Sequence, residues 1–264
     1  MSATSFELER LLSPHMPDEF FRDIWEKRPL AVARGDERHY DGLLSMSDVD
    51  KVIAFSGPKF TDAAAFRAQA QSPPTFVRGV LDDQGSYSSQ PDPGIAELRQ
   101  VFDAGKSLVI MAVQRRWQPV AELTRNLEAV FHCPVHANMY LTPPDSQGFA
   151  AHFDTHEVFV LQLEGVKYWR LFRAAEDLPL VSDDAGRPRQ PLGTFEECCL
   201  APGDLLYIPR GHVHEAFTSQ VPSLHLTVGI NVYRWADVLH HALAVAGRCD
   251  VRFRAEHCRK STPI

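Results

Sequence analysis

The chain has 264 residues, of which 44% are hydrophobic and 23% charged, and this composition excludes an intrinsically disordered protein. A net charge of -7 and a pI near 5.9 argue against nucleic-acid binding, because phosphate contacts need clustered Lys and Arg. The longest apolar run, at 108–113, is too short to cross a bilayer, and the five cysteines form no CxxC motif. We expect a cytoplasmic globular protein with reduced thiols and no membrane partner.

The first half of the chain combines helical patterns with loop-forming residues. Between residues 7 and 53, apolar side chains recur at the spacing of one helix face. Residues 69–94 are rich in Pro, Gly, Ser and Asp, which predicts a loop whose role stays open. A strand is expected at 108–113, and Pro119 is expected to begin a helix. Residues 1–134 are therefore predicted to be an N-terminal helical region with the first barrel strands.

From residue 135 onward the sequence consists of short apolar runs separated by turn residues. Closely spaced strands of this kind predict a sandwich or a barrel. We expect the barrel core at 135–233 and a helical tail at 234–264, within one structural unit overall. The predicted strands are 137–141, 157–163, 166–172, 205–208 and 224–232.

The first candidate metal ligands are His152 and Asp154, two positions apart on a predicted strand. Alternate residues of a strand point to the same face, so both side chains can bind one ion. Two histidines and one carboxylate would hold Fe(II) on one side and leave positions for an oxidant and a co-substrate. Downstream, a turn, a strand and a second turn deliver His212 and His214, either of which could be the third ligand. His156 is expected beside the site or in solvent, since a fourth protein ligand would close a needed position.

Lys167 is the candidate for binding an anionic co-substrate. The dipeptide Glu164–Gly165 predicts a two-residue hairpin turn. Gln162 would then lie opposite Lys167, and cross-strand partners share a face. If the strand is unbroken back to His152, that face is the barrel interior. A lysine there would be costly without an anionic partner, and a dicarboxylate would supply one.

Three longer stretches carry a wider pattern. They read Asn138-Met-Tyr-Leu-Thr-Pro-Pro, Phe159-Val-Leu-Gln-Leu-Glu-Gly-Val-Lys-Tyr-Trp-Arg and Gly203-Asp-Leu-Leu-Tyr-Ile-Pro-Arg-Gly-His-Val-His. Together with Trp25-Glu-Lys-Arg-Pro near the N-terminus, these motifs resemble the ribosomal oxygenases. Those proteins are JmjC-type 2-oxoglutarate-dependent protein hydroxylases with a double-stranded β-helix core. The resemblance extends from about residue 18 to residue 236.

The resemblance implies both a fold and a metal site. The fold would be mainly β with flanking helices, built around a double-stranded β-helix, which is the jelly-roll barrel of JmjC and cupin proteins. His152, Asp154 and His214 would bind Fe(II), so the resemblance selects His214 over His212. The winged-helix domain that follows the barrel in the family is expected to be absent here.

The resemblance also implies which residues bind the co-substrate and the substrate. Lys167 would pair with the distal carboxylate of 2-oxoglutarate, with Asn138 and Thr227 nearby. Tyr140 would contact the peptide substrate.

The implied function is that of a 2-oxoglutarate-dependent dioxygenase that hydroxylates a His or Arg side chain of a protein or peptide. The acidic chain would attract a basic substrate, and either a monomer or a homodimer would be compatible with the sequence. Two alternatives stay open, namely a tailoring hydroxylase of a peptide natural product and a non-catalytic metal-binding cupin. An inward Lys167 favours the enzymes, because a protein that only holds metal needs no buried cation. The sequence does not distinguish stable hydroxylation from demethylation.

Overall fold

The computed structural model describes residues 6–55, 79–80, 102–105, 107–180, 188 and 191–255. The chain divides into two compact units, Met1–Asn231 and Val232–Ile264. This division into two units does not test the three segments expected from the sequence, 1–134, 135–233 and 234–264, which stay a prediction. Most of the predicted loop at 69–94 lies outside the described residues.

Two antiparallel sheets dominate the first unit. The strands are β1 Leu30–Val32, β2 Gly79–Val80, β3 Leu108–Ile110, β4 Val135–Thr142, β5 Glu157–Glu164, β6 Lys167–Ala174, β7 Phe195–Leu200, β8 Leu205–Ile208, β9 His212–Phe217 and β10 Ser223–Ile230. The larger sheet has the order β1-β8-β5-β10-β4-β3-β2, and the smaller sheet has the order β7-β6-β9. The predicted mainly β fold with flanking helices is confirmed, with the two sheets forming the walls of the jelly-roll barrel.

Short helices precede the barrel, and a longer one follows it in the chain. The α-helices of the described ranges are α1 Leu8–Leu12, α2 Pro17–Asp23, α3 Val49–Phe55, α4 Gln118–Phe131 and α5 Trp235–Cys249, and 3-10 helices lie at Met46–Asp48, Val113–Arg115 and Val251–Arg254. As predicted, Pro119 lies in the first turn of α4, where a missing N–H leaves no hydrogen bond unmade. None of these helices is long and apolar enough to cross a membrane.

Strand β5 is buried on both faces, which fixes its position in the barrel wall. On its inner face, Val158 and Val160 pack in a core that includes Trp169 of β6. On its outer face, Phe159 packs against Phe20 of α2, with ring centroids 5.7 Å apart. Burying each of these side chains contributes roughly 1.5–3 kcal/mol. The loop that precedes β5 is therefore attached to a rigid strand.

Strands β1 and β7 are among those that were not predicted from the sequence. The helical pattern expected over 7–53 is wrong at β1, where Leu30 pairs with Tyr207 of β8. Pro29 disfavours helical geometry in the residue before it, and the edge of β8 offers hydrogen bonds instead. Strand β7 lacks an alternating apolar pattern because most of its residues are exposed at the edge of the smaller sheet. Its sequence, Phe-Glu-Glu-Cys-Cys-Leu, therefore gives little signal.

The predicted hairpin between β5 and β6 is wrong, because these consecutive strands lie in different sheets. β5 pairs with β8 and β10, whereas β6 pairs with β7 and β9. The chain crosses between the sheets at Gly165, which has φ +67°. A Cβ atom at Gly165 would lie 1.9 Å from the carbonyl oxygen of Pro222, so the crossing requires glycine. Gln162 and Lys167 are therefore not cross-strand partners.

Candidate active site

The three side chains predicted as metal ligands converge at one point. His152, Asp154 and His214 each offer one donor atom, and these atoms all lie within 4.8 Å of one another. Nε2 of His214 is 3.7 Å from Oδ2 of Asp154, and the ring centroids of the two histidines are 4.4 Å apart. His212 is not part of the cluster. Across the described part of the chain, no second group of three such side chains is found.

Backbone hydrogen bonds hold the ligand-bearing segments together. The backbone N–H of His152 donates to the carbonyl of His214 at 3.0 Å, and the N–H of His214 donates back at 2.7 Å. The N–H of Gly211 donates to the carbonyl of Asp154 at 2.8 Å. The loop before β5 is thereby fixed to β9 and to the turn before it. The cluster is positioned by the backbone itself.

Hydrogen bonds also orient the two imidazoles. Nδ1 of His152 lies 2.9 Å from the carbonyl of Ala150, and Nδ1 of His214 lies 3.0 Å from the carbonyl of His212. A carbonyl can only accept, so each Nδ1 carries the proton in these contacts. Each Nε2 is then left with a lone pair for a metal ion, as is usual for metal-binding histidines.

Electrostatics favour metal-binding forms of two of the three donors. Burial and, to a smaller extent, the neighbouring His152 lower the pKa of His214 to about 4. Burial alone would raise the pKa of Asp154, but the surrounding histidines, His156 and His152 foremost, lower it by more, to below its ordinary value. At neutral pH the cluster therefore contains a neutral imidazole and a carboxylate.

Lys167 lies inside the barrel, as expected, although it reaches the interior by a different route. Its side chain is 3% exposed, and its Nζ donates to Oγ1 of Thr142 at 2.8 Å. No carboxylate of the described residues forms an ion pair with it, and burial lowers its pKa to about 7. Among the buried side-chain atoms that lack a hydrogen-bond partner in this part of the chain are Nε1 of Trp169 and Nδ1 of His225.

The remaining predicted site residues lie along strands β4 and β10. Asn138 and Thr227 are direct partners across these strands. Oδ1 of Asn138 accepts a hydrogen bond from the N–H of Ala112 at 3.0 Å. Tyr140 stacks on His225, with ring centroids 4.9 Å apart and planes inclined by 7°. The structure therefore places all three on the inner face, between Lys167 and the opposite end of β4.

The sequence interpretation missed Thr142, the residue that contacts Lys167. The signal was present, because Thr142 shares the alternation of Asn138 and Tyr140 along β4. It was overlooked because Gln162 was assumed to be the neighbour of Lys167.

A second pair of imidazoles lies beside the metal-ligand cluster. The rings of His136 and His156 are 5.0 Å apart, and both side chains are half-buried. His136 is the strand partner of Gly229, and a Cβ there would lie 2.3 Å from Cε1 and 2.5 Å from Nε2 of His136. Glycine is needed at 229 because the His136 ring occupies the space of a side chain. His156 was expected beside the site or in solvent, and His136 was not singled out.

A buried ionic network supports the turn that precedes His214. Nη1 of Arg210 donates to Oε1 of Glu157 at 2.7 Å and to Oε1 of Glu26 at 2.5 Å. The hydroxyl of Tyr207 donates to the other oxygen of Glu157 at 2.5 Å. Glu157 follows shortly after the ligand Asp154, so the network ties both ligand-bearing segments to the N-terminal region.

Comparison with known sequences identifies the domain and its relatives. Residues 111–238 match the model of the JmjC domain. The chain is 35% identical to Ribosomal oxygenase 1 of Rattus norvegicus, covering 95% of this chain and 41% of that protein. It is 34% identical to the bifunctional lysine-specific demethylase and histidyl-hydroxylase NO66 of Aedes aegypti, covering 89% of this chain and 37% of that protein. The chain thus spans less than half the length of these relatives.

Solved structures show the same fold at low sequence identity. The X-ray structure of Escherichia coli ycfD superposes with a TM-score of 0.63 at 18% identity, over 94% of this chain and 61% of that one. The ribosomal oxygenase YcfD of Escherichia coli in complex with cobalt and 2-oxoglutarate superposes with a TM-score of 0.56, over 94% and 60%.

The barrel and the domain match define this molecule as a JmjC-domain protein. Within that family, its relatives are the ribosomal oxygenases. The chain contains a JmjC domain at residues 111–238, and the resemblance inferred from its motifs is confirmed.

Proposed function

We propose that the chain is an Fe(II)- and 2-oxoglutarate-dependent oxygenase that hydroxylates a side chain of a protein or peptide. One observation carries the proposal, namely that a His-Asp-His cluster shares one barrel interior with a buried lysine that has no carboxylate partner among the described residues. The lysine counts against a non-catalytic metal-binding cupin. The names of the relatives, ribosomal oxygenase and histidyl-hydroxylase among them, support a protein substrate.

The donor set fits Fe(II), which His152, Asp154 and His214 would hold. Two imidazoles and one carboxylate form the facial set of non-haem Fe(II) oxygenases and leave open positions. When bound, Fe(II) and 2-oxoglutarate supply the oxidation, in which one oxygen atom of O2 enters a substrate C–H bond while 2-oxoglutarate becomes succinate and CO2. The protein's own contribution is to bind, orient and shield these reactants.

The polar groups around Lys167 suit the distal carboxylate of a small dicarboxylate. Its ammonium group and the Thr142 hydroxyl would bind the distal carboxylate, which gives the buried cation the anionic partner that it lacks. Trp169 and His225 would exclude water from this end of the barrel. We assign Asn138 and Thr227 to the wall of the same cavity, and Tyr140 to contact with the peptide substrate.

The partner is proposed to be basic, because the chain carries a net charge of -7. We also propose that the chain forms a homodimer through α5. Trp235, Leu239 and Leu243 recur on one face of this helix and are 81%, 60% and 62% exposed. An apolar face of this kind is suited to burial against a second copy. The cytoplasmic location stays a prediction.

The principal test of the proposed function is Asp154→Ala. This substitution removes the only anionic ligand, so metal binding should weaken at least about 100-fold and succinate formation should cease. Isothermal titration with Mn(II) and a succinate assay with Fe(II), 2-oxoglutarate and a peptide mixture would measure both. Asp41→Ala, which alters an exposed aspartate in a surface ion pair, is the matched control and should behave as wild type.

Two results would refute the proposal. One is stoichiometric metal binding by Asp154→Ala. The other is a metal-loaded wild-type protein that consumes no 2-oxoglutarate with or without peptide.

A further inference from the structure

The hydrogen bonds around His136 fix which of its ring nitrogens carries the proton. Nδ2 of Asn231 lies 3.0 Å from Nδ1 of His136 and 3.3 Å from the carbonyl of Pro134. The carbonyl can only accept, so the amide nitrogen is correctly placed and donates to Nδ1. Nδ1 of His136 is therefore an acceptor. The proton of the neutral ring lies on Nε2.

The Nε2 atom of His136 lies on the inner face of the barrel, beside Gly229 of β10. His136 shares the inner face of β4 with Asn138 and Tyr140. The ring lies over Gly229, at the place where an inward side chain of β10 would stand, and its Nε2 has no hydrogen-bond partner among the described residues. The ring is 5.0 Å from that of His156, two residues after the ligand Asp154, so it lies close to the metal ligands. The Nε2–H group of His136 is thus a donor without a partner among the described residues. It lies near the start of β4, at the end of the strand away from Lys167.

We propose that Nε2–H of His136 determines which side chain the enzyme oxidises, by selecting a target that accepts a hydrogen bond. This inference rests on the proposed function and narrows its substrate class. Imidazole, amide and carboxylate side chains have an acceptor for this donor. Guanidinium and ammonium groups have only donors. They would place their own N–H groups opposite Nε2–H of His136, and no hydrogen bond would form. Leaving this donor unpaired in the complex disfavours Arg and Lys targets, by about 10-fold or more.

A test that needs no turnover is ¹⁵N NMR of histidine-labelled protein loaded with Zn(II) and 2-oxoglutarate. The His136 ring should show the Nε2–H form, and its Nε2 resonance should shift on titration with acetamide but not with methylguanidinium. An Nδ1–H form, or equal shifts with both probes, would overturn the proposal. This readout does not depend on oxidation. If the NMR result is as expected but the wild-type protein forms no succinate, the proposed function is refuted and the tautomer of His136 is not.

The second test reverses the direction of the hydrogen bond between residue 231 and Nδ1 of His136. In Asn231→Asp the carboxylate accepts a hydrogen bond from Nδ1–H of His136, so Nε2 of the neutral ring becomes an acceptor. Capped peptides of one sequence, with His, Asn, Arg or Lys at the centre, would be assayed by mass spectrometry for addition of one oxygen. Wild type should prefer His and Asn over Arg and Lys by about 10-fold or more, and Asn231→Asp should lose or invert that preference.

The control for this variant is Asn126→Asp, which makes the same chemical change in α4, where the amide contacts the carbonyl of Phe6. It should keep the wild-type preference. His136→Ala should abolish the preference without the charge change, which guards against a folding defect in Asn231→Asp. Preferred oxidation of Arg or Lys by wild type, or an unchanged preference in His136→Ala, would contradict the assignment.

Discussion

The buried Lys167 should make co-substrate binding depend on pH. Its pKa of about 7, lowered by burial, means that the amine loses its proton as the pH rises above 7 in the empty site. A bound dicarboxylate raises that pKa again, so binding above pH 7 takes up a proton. The Kd for 2-oxoglutarate should be flat below pH 7 and rise above it, by up to about tenfold per pH unit. Calorimetric titration of the Mn(II)-loaded protein from pH 6 to 9 would measure this.

The matched variant is Lys167→Arg, because arginine keeps its charge across this range. Its Kd should not change between pH 7 and 9, whatever its absolute value. His225, which faces Lys167, should not contribute, since burial and the lysine hold its pKa well below the ordinary value. A wild-type Kd that does not change with pH would show that Lys167 does not pair with the co-substrate.

The metal ligands lie in the loop before β5 and on β9, and the Arg210 network joins the start of β5, the end of β8 and the turn after α2. Arg210→Met should leave Glu157 charged and fully buried without its cation, which costs about 3–5 kcal/mol of unfolding free energy. Urea unfolding would measure the change. Arg38→Met removes an exposed ion pair with Asp41 and should cost less than about 1 kcal/mol. Equal effects of the two substitutions would mean that the network contributes no more than a surface pair.

The sequence was informative where a local rule was sufficient. Strand alternation predicted that His152 and Asp154 converge, and they do, although the expected strand is wrong because this segment has only an isolated bridge at His152. The same rule could not separate His212 from His214, because residues two positions apart on a strand point to the same face. That choice depended on the family resemblance.

The position of Lys167 shows where local rules fail. Its inward direction was predicted from a hairpin that does not exist, since Gly165 carries the chain from one sheet to the other. Short loops favour hairpins, and only contacts distant in sequence, such as that of Gly165 with Pro222, show the crossing. His136 was missed for a related reason. Its importance depends on Gly229 and Asn231, which are distant in the chain.

For the whole molecule, the testable consequence concerns assembly. If the apolar face of α5 is a dimer interface, Leu243→Asp should shift the protein towards monomer, because it places a charge in the buried contact. Light scattering coupled to gel filtration at micromolar concentration would determine the mass. Leu192→Asp changes a leucine that is 41% exposed in the first unit and should leave the mass unaltered. A wild-type protein that is monomeric at every concentration would contradict the dimer.

The paired backbone hydrogen bonds between His152 and His214 have a consequence for the order of assembly. They close a long loop of the chain through backbone contacts, so folding of the barrel contributes to the entropic cost of bringing the ligands together. We therefore expect binding and release of the metal to be local events at a site that the folded barrel already forms. The ion can be exchanged without dismantling the barrel, in contrast to small domains whose folding depends on their metal.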